Sequence, residues 1–238
     1  MPLEEYRRKR DFGSTPEPAP GELVERSGRF TIQRHRATAL HYDVRLEIDG
    51  VLVSWAVPKG PTLDPSARRL AMRTEDHPIE YFDFEGVIPE NQYGAGDVIV
   101  WDWGTYEPEP ETPDPSAALR NGEIKFVMHG EKVRGRFTLV RTDRRGGEGD
   151  GRERWLLIHK RDEYAVPGWN AEDYPRSVKT GRTNDEVREG KPPYFLADPP
   201  GTVAPVDVSA AREAEIPDFI PPMRATLADK PFSARTAP

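Results

Sequence analysis

The chain is 238 residues long, carries a formal net charge of −7 and contains 25 prolines, 20 glycines and no cysteine. The absence of cysteine excludes disulfides, thiolate zinc sites and cysteine nucleophiles, so histidine and carboxylate side chains must bind any metal ion. No stretch reaches the roughly 18 apolar residues of a membrane span, and no apolar signal segment follows the basic N-terminus. These features predict a cytoplasmic protein that does not contact a membrane.

Residues 1–28 are predicted to form an irregular N-terminal extension. A short polar helix is expected over Leu3–Arg10, and the proline-rich run STPEPAPGE follows it. The predicted core begins after this extension, at Arg29.

Residues 29–165 contain eight short runs that alternate apolar and polar residues or are rich in β-branched residues, as strands do. The runs are RFTIQ, HYDVRLEI, VLVSWAV, RLAMRT, DVIVWDW, EIKFVM, GRFTLVRT and RWLLIHK. Asp49-Gly50 predicts a two-residue hairpin turn, and MHGEKVRG predicts a second, longer hairpin. RTDRRGGEGDGRER reads as a surface loop. Because helical patterns are few, the sequence predicts a mainly β fold, an antiparallel barrel or sandwich of about eight strands.

Residues 166–238 lose this periodicity. One short helix is expected over Asp185–Glu189, and the remainder is rich in proline, alanine and charged residues. This composition indicates a linker, or a tail that lies over the domain.

The stretch RHRATALHYDVRLEI combines strand alternation with unusual polar residues. On one face lie Tyr42, Val44, Leu46 and Ile48, which are core candidates; on the other lie His41, Asp43, Arg45 and Glu47. His41 and Asp43 are close enough along the strand to share one ion, and His35 could fold back across the turn to join them. Two imidazoles and a carboxylate suit Mn, Fe, Co or Zn. A solvated polar strand face explains the same residues equally well when the stretch is considered alone.

Other residues in the chain favour the metal site over the solvated strand. Arg45 shares the polar face, TEDHPIEY supplies His77 and Tyr81, and WAVPKGP supplies Lys59. Cations, an imidazole and a phenol are the groups that bind and cleave a phosphate. The net negative charge argues against a nucleic-acid ligand, but the distribution of charge matters more than its sum.

Four long motifs resemble one known family, the 3′-phosphoesterase domain of bacterial DNA ligase D, an end-processing module of nonhomologous end joining. They are YRRKRDFGSTPEP, RHRATALHYDVRLEIDGVLVSWAVPKGPTLDP, RTEDHPIEYFDFEGVIPENQYGAGDVIVWDWGTY and LLIHKRDEYA, which together cover about residues 6–165. The resemblance implies a compact β-barrel with a crescent-shaped active face. The domain occurs as a stand-alone protein and as a module of a larger one.

The resemblance also implies a reaction. Family members remove a 3′-terminal ribonucleoside from a primer strand and then convert the remaining 3′-phosphate to a 3′-hydroxyl, typically with manganese; Co²⁺ and Zn²⁺ are alternatives. His35, His41 and Asp43 match the metal-binding positions, and His77, Arg45 and Tyr81 match positions around the scissile phosphate. Further positions linked to activity are Arg10, Asp11, Glu17, Gln33, Lys59, Arg69 and Glu75. The implied partners are DNA 3′ ends, with a separate ligase, polymerase and Ku as candidates, and a monomer is expected.

The segment Ile220–Phe232, IPPMRATLADKPF, resembles the lead-in to the ligase domain of ligase D. The sequence contains no Lys-x-Asp-Gly, the motif of the adenylated lysine, so we expect no ligase activity. The initial Met1 and the ending SARTAP slightly favour a stand-alone phosphoesterase over a piece of a longer polypeptide.

Two other functional classes fit parts of the sequence. A non-haem Fe(II) oxygenase would use the His-x-Asp of HYD with His129 as its distal ligand, but that interpretation leaves His35 and His77 unexplained. A metal-stabilised DNA-end-binding module without catalysis is the third interpretation. Finding His35 or His129 beside His41 and Asp43 separates the first two, and an activity assay separates the third.

Overall fold

Eight long antiparallel strands close into a barrel in the computed structural model, which describes residues 3–21, 28–142 and 153–201. The strands are β1 (Arg29–Arg36), β2 (Leu40–Ile48), β3 (Val51–Val57), β4 (Arg68–Arg73), β5 (His77–Pro78), β6 (Gly86–Ile88), β7 (Gly96–Pro108), β8 (Glu123–Gly130), β9 (Arg134–Arg141) and β10 (Arg154–His159). The order is β1-β2-β3-β4-β10-β9-β8-β7, and β7 pairs with β1 to close the barrel. The eight long strands coincide with the eight predicted runs, which confirms the predicted fold.

The turn between β2 and β3 has the backbone conformation that Asp-Gly favours. Asp49 and Gly50 both have positive φ, 50° and 75°, as a type I′ turn requires. The turn fixes the register of the hairpin, with Ile48 opposite Val51 and Arg45 opposite Ser54. The second predicted hairpin is also present, between β8 and β9.

The barrel interior is filled by alternate residues of the strands. The predicted apolar row of β2, from Tyr42 to Ile48, is buried there, and Trp55 packs edge-on against Trp155 at 5.7 Å between ring centres. Trp101 is also fully buried and packs against Tyr42. Burial of these large rings is the main contribution to the stability of the barrel.

A second layer covers the outside of β1, β2 and β3. It consists of helix α1 (Glu4–Arg8), the chain that follows it, and the segment that contains β5 and β6. Tyr6, Tyr81 and Phe82 pack in a separate apolar cluster with Trp103 of the barrel. Residues on the outer face of β2 are therefore buried as well, so this face forms a cleft and not a solvated surface. The predicted N-terminal helix is confirmed, although it is shorter than Leu3–Arg10.

Helix α2 (Pro115–Asn121) was not predicted, although its signals are present in the sequence. The Asp114 side chain caps the N-terminus by accepting from Ala117 N–H, Pro115 occupies the first turn, and Gly122 ends the helix with φ of 84°. These are the residues that begin and end helices.

Residues 166–201 pack on the barrel. Helix α3 (Asn184–Arg188) begins at a capping box formed by Thr183 and Glu186, within one residue of the predicted helix. Val178 is buried, and the indole N–H of Trp101 donates to the Tyr174 carbonyl at 2.6 Å. These residues belong to the same compact unit as the barrel, and the domain boundaries predicted from the sequence stay predictions.

Three predicted features lie outside the described residues: most of the loop RTDRRGGEGDGRER, the end of the tail and the lead-in Ile220–Phe232. Within the described ranges, no helix combines the length and apolarity needed to span a membrane.

Candidate active site

Strands β1, β2 and β3 carry the polar side chains that the sequence analysis identified. His35 on β1 lies opposite His41 on β2, and Arg45 on β2 lies opposite Ser54 on β3. Opposed residues of an antiparallel sheet point to the same face, and Asp43 shares that face because it lies two residues from both His41 and Arg45. The register therefore brings all five side chains together on the outer surface of the barrel.

His35, His41 and Asp43 form a cluster whose potential ligand atoms lie within 4.8 Å of one another. Oxygens of Asp43 are 3.6 Å from Nδ1 of His35 and 3.6 Å from Nε2 of His41. The other ring nitrogens lie 2.8 Å from the Gly94 carbonyl and 3.0 Å from the Ala39 carbonyl. Carbonyls at these positions accept the ring N–H and leave the nitrogen facing Asp43 free for a metal ion. The donor set fits a divalent first-row metal; metal binding itself stays a prediction.

Arg45 is 2% exposed and its guanidinium group connects the cluster to its neighbours. Nη2 donates to Asp43 at 3.1 Å, while Nε donates to Gln33 and Nη1 to Ser54, both at 2.8 Å. Burial alone would raise the pKa of Asp43, but the charge of Arg45 and the two imidazoles hold it well below its usual value. Asp43 is therefore ionised at neutral pH, the form that binds a metal ion.

His77 on β5 lies between two guanidinium groups. Its Nδ1 is 2.9 Å from Nη1 of Arg45, and its Nε2 is 3.3 Å from Nη2 of Arg10. Burial and the charges of Arg45 and Arg10 hold the pKa of His77 well below 6.5. The imidazole is therefore neutral in this environment.

Two tyrosine rings pack against the imidazole of His77. The ring centres of Tyr6 and Tyr81 are 5.1 Å and 4.9 Å from it, both in edge-on arrangements. Burial raises the pKa of Tyr81 well above 10. The Tyr81 phenol therefore remains protonated, and it can donate a hydrogen bond but not accept a proton as a base.

Arg10 is positioned by two carboxylates of the covering layer. Its Nε donates to Glu17 at 2.8 Å and its Nη1 donates to Glu75 at 3.2 Å. Lys9 donates to the second oxygen of Glu75 at 3.1 Å, and the guanidinium group of Arg10 lies 3.9 Å from the ring centre of Tyr6. Glu17 and Glu75 thus hold the cation that faces His77.

These side chains line one pocket of about 150 Å³. The predicted site residues among its walls are His35, His41, Asp43, Arg45, His77, Tyr81, Arg10, Glu17 and Glu75. Gln33 does not line the pocket, but it accepts from Arg45 and donates to the carbonyls of Tyr81 and Phe84. The structure therefore places ten of the thirteen predicted site residues in or directly behind the pocket.

Asp11, Lys59 and Arg69 do not line this pocket. Asp11 is exposed and accepts from the backbone of Gly13 and the hydroxyl of Ser14. Lys59 is exposed in the turn after β3, and Arg69 lies in β4. A role for these three residues in activity stays a prediction, and it would have to involve the substrate beyond the pocket.

His129 does not lie with the histidine and aspartate cluster. It is an exposed residue of β8, opposite Thr105 and 3.7 Å from a carboxylate oxygen of Glu107. Among the residues that the structure describes, the cluster with His35 is the one group of three histidine or carboxylate side chains with ligand spacing. The oxygenase interpretation, which requires His129 at the metal, is therefore wrong.

Four groups of the site were not predicted from the sequence. Ser54 binds Arg45, the Gly94 carbonyl orients His35, and Tyr6 packs on His77. Tyr93 lines the pocket rim. The Asp-Gly turn was a sufficient signal for Ser54 because a two-residue turn fixes which residue faces Arg45. The other three come from segments that fold over the sheet, and no local pattern predicts their positions.

Comparisons with known proteins relate a part of the chain to one family. Residues 33–141 match the family model of the DNA Ligase D 3'-phosphoesterase domain. The chain is 51% identical over 164 residues to the multifunctional non-homologous end joining protein LigD of Pseudomonas aeruginosa. That alignment covers 68% of this chain and 19% of that protein. It is 50% identical over 156 residues to the multifunctional non-homologous end joining DNA repair protein LigD of Mycobacterium tuberculosis, 65% of this chain and 19% of that protein.

A third relative, the multifunctional non-homologous end joining protein LigD of Mycolicibacterium smegmatis, is 51% identical over 149 residues, 59% of this chain and 19% of that protein. The alignments thus span about a fifth of the length of these relatives. The match to the family model contains every wall residue of the pocket except Arg10 and Glu17. Residues 33–141 therefore belong to the DNA ligase D 3′-phosphoesterase domain family by their match to its model.

Proposed function

We propose that the protein is a metal-dependent phosphoesterase that heals DNA 3′ ends. It removes 3′-terminal ribonucleosides and 3′-phosphates and leaves 3′-hydroxyl ends for repair by end joining. The observation that carries the proposal is the pocket itself, in which the cluster of His35, His41 and Asp43 lies beside the cation of Arg45 and the imidazole of His77. Membership of the family supports an end-processing role in DNA repair.

The proposed metal is Mn²⁺, with Co²⁺ or Zn²⁺ as alternatives, bound by His35, His41 and Asp43. Such an ion would neutralise charge on a phosphate oxygen and lower the pKa of a bound water. Asp43 brings the required negative charge, which Arg45 maintains. The backbone carbonyls of Gly94 and Ala39 keep the two imidazoles in orientations suitable for binding.

The proposed phosphate-binding groups are Arg45 and Arg10, whose cations flank His77. A guanidinium group matches two phosphate oxygens at once. Burial and the two cations lower the pKa of His77, and a phosphate that neutralises the cations would raise that pKa. His77 would then gain a proton in the substrate complex and could donate it to the leaving oxygen as a general acid.

The deciding experiment uses a 5′-labelled primer-template with one 3′-terminal ribonucleotide, incubated with and without Mn²⁺. We expect the primer to shorten to a 3′-phosphate and then to a 3′-hydroxyl, only with the metal. His41→Ala should abolish both steps, and His129→Ala, which removes an exposed histidine far from the cluster, is the matched control. An unchanged primer with the wild-type protein would refute the proposal and favour the non-catalytic end-binding module.

The proposed partners follow from the product. A 3′-hydroxyl end is the substrate of polymerases and ligases, so a separate ligase, a polymerase and Ku are proposed to act on the same ends. We expect the protein itself to be monomeric and cytoplasmic. We also expect it to be inactive as a ligase, because the sequence has no Lys-x-Asp-Gly. Light scattering of the purified protein tests the oligomeric state, and a nicked duplex with ATP tests for ligation.

A further inference from the structure

The pocket that contains His35, His41, Asp43 and His77 is called the phosphate pocket below. A second cavity of about 470 Å³ opens directly beside it. The two cavities share five wall residues: His41, Ala56, Thr74, Glu75 and Tyr93. The first, at about 150 Å³, is smaller than ordinary ligand pockets, whereas the second lies within their range of roughly 300–1,000 Å³. A phosphate bound in the first cavity would therefore place one of its ester substituents in the second, which we call the side groove.

The side groove has an apolar floor and an aromatic rim. Leu40, Pro58 and Met72 contribute apolar atoms from the ends of three strands. Tyr93 stands on the rim with 49% of its surface exposed, and it is the one exposed large apolar residue of the described chain that also lines the phosphate pocket. The Lys9 ammonium lies 4.5 Å from the ring centre of Tyr93 and donates to its hydroxyl. These contacts hold the ring in place while leaving half of the side chain accessible.

The charges that line the side groove are already paired. Lys9 contacts Glu5 at 2.8 Å and Glu75 at 3.1 Å, and Arg73 forms an ion pair with Asp76. The third carboxylate of the wall, Glu153, lies 3.5 Å from the guanidinium group of Arg141. The two guanidinium groups that flank His77, those of Arg45 and Arg10, lie in the phosphate pocket and not in the side groove. A groove with balanced charge and an aromatic rim suits an uncharged, flat group.

We propose that the side groove binds the 3′-terminal nucleoside of the DNA strand, with its base stacked on Tyr93. This inference rests on the proposed function, and it assigns the groove to the nucleoside that leaves in the first step. The upstream nucleosides of a duplex are paired and stacked on their neighbours, whereas the terminal base can leave the stack at the lowest energetic cost. Tyr93 is therefore a specificity-determining residue, which favours ends that still carry a terminal nucleoside over ends that lack a base.

A kinetic experiment compares two primers that end in a 3′-terminal ribonucleoside or in the same ribose without a base. For the wild-type protein we expect a higher kcat/KM for the primer with the base than for the primer without it. In Tyr93→Ala the ratio of these two kcat/KM values should fall by about 5- to 150-fold, the range of one lost base–aromatic stack. Tyr93→Phe keeps the ring and should keep the ratio. An equal ratio in wild-type protein and Tyr93→Ala would overturn the proposal.

A binding experiment makes failure of the subsite distinguishable from failure of the proposed function. A primer-template that ends in a 3′-terminal 2-aminopurine ribonucleoside is titrated with protein in the absence of metal, so that no turnover occurs. Stacking on Tyr93 should quench the fluorescence with the wild-type protein and Tyr93→Phe, but not with Tyr93→Ala. Equal quenching in all three proteins would refute the subsite, even if the protein releases phosphate. The expected quenching, together with an unchanged primer in a parallel reaction that contains Mn²⁺, would refute the catalytic proposal alone.

Discussion

Replacement of Arg45 by methionine tests the electrostatics of the site most directly. Arg45 is 2% exposed and Asp43 is 6% exposed, so the pair is buried in the folded protein. Methionine fills a similar volume but removes the charge that compensates Asp43 at 3.1 Å. Removing one partner of a buried ion pair typically costs about 3–5 kcal/mol because the other charge stays buried. That is a large part of the total stability of roughly 5–15 kcal/mol that a domain of this size has.

The cost should depend on metal. Without Mn²⁺, Asp43 in Arg45→Met would have only the two imidazoles beside it, and we expect the free energy of unfolding in urea to fall by about 3–5 kcal/mol. With saturating Mn²⁺ the bound cation would replace the lost charge, so the difference between variant and wild type should shrink. Lys191→Met, which removes a cation from the exposed pair with Glu189, is the control, and we expect no change in its urea midpoint.

Two outcomes would refute this reasoning. An identical loss of stability with and without Mn²⁺ would mean that no metal ion compensates the charge of Asp43, so the metal assignment would be wrong. An unchanged stability in both conditions would mean that Arg45 does not hold Asp43 in its ionised form. Equilibrium unfolding at neutral pH, followed by tryptophan fluorescence, distinguishes these outcomes because Trp55, Trp101 and Trp155 are buried in the barrel.

Three further predictions concern the same pocket. Asp43→Ala and His77→Ala should each abolish phosphate release from a 3′-phosphate primer-template with Mn²⁺, measured by gel mobility, and near-normal turnover in Asp43→Ala would contradict the ligand assignment. Gly94 has φ of 78°, which disfavours a side chain; Gly94→Ala should displace the carbonyl that orients His35 and weaken Mn²⁺ binding by about 10- to 100-fold in calorimetry. The folded protein binds fewer protons at His77 than the unfolded chain does, so the free energy of unfolding of the wild type should fall as the pH falls from 6.5 toward the lowered pKa of His77. In urea unfolding, His77→Asn should lose less of this free energy between pH 7 and pH 5. An equal loss in variant and wild type would contradict the low pKa.

The barrel was predictable because its signals are local. Each long strand has its own alternation of apolar and polar residues, and the Asp49-Gly50 turn sets one register without reference to the rest of the fold. The barrel could not be distinguished from a sandwich on this basis, since closure depends on pairing between β1 and β7, which are about sixty residues apart in the sequence. The short strands β5 and β6 were missed because two or three residues carry no periodic signal.

The site was only partly predictable because it has two layers with different origins. The sheet layer, His35, His41, Asp43 and Arg45, follows from alternation and register, so its convergence could be expected from the sequence. The covering layer, which contains Arg10, is placed by long-range packing that no local pattern encodes.

The covering layer also changes the chemistry of the sheet layer. By excluding water it lowers the pKa of His77 and strengthens the hold of Arg45 on Asp43. A polar strand that alone could be a solvated surface thereby becomes a charged, buried pocket. The pocket on this strand is therefore produced by the segments that fold over it. The strand pattern alone does not predict how substitutions in the covering layer, such as Glu17→Gln or Tyr6→Phe, change the pocket.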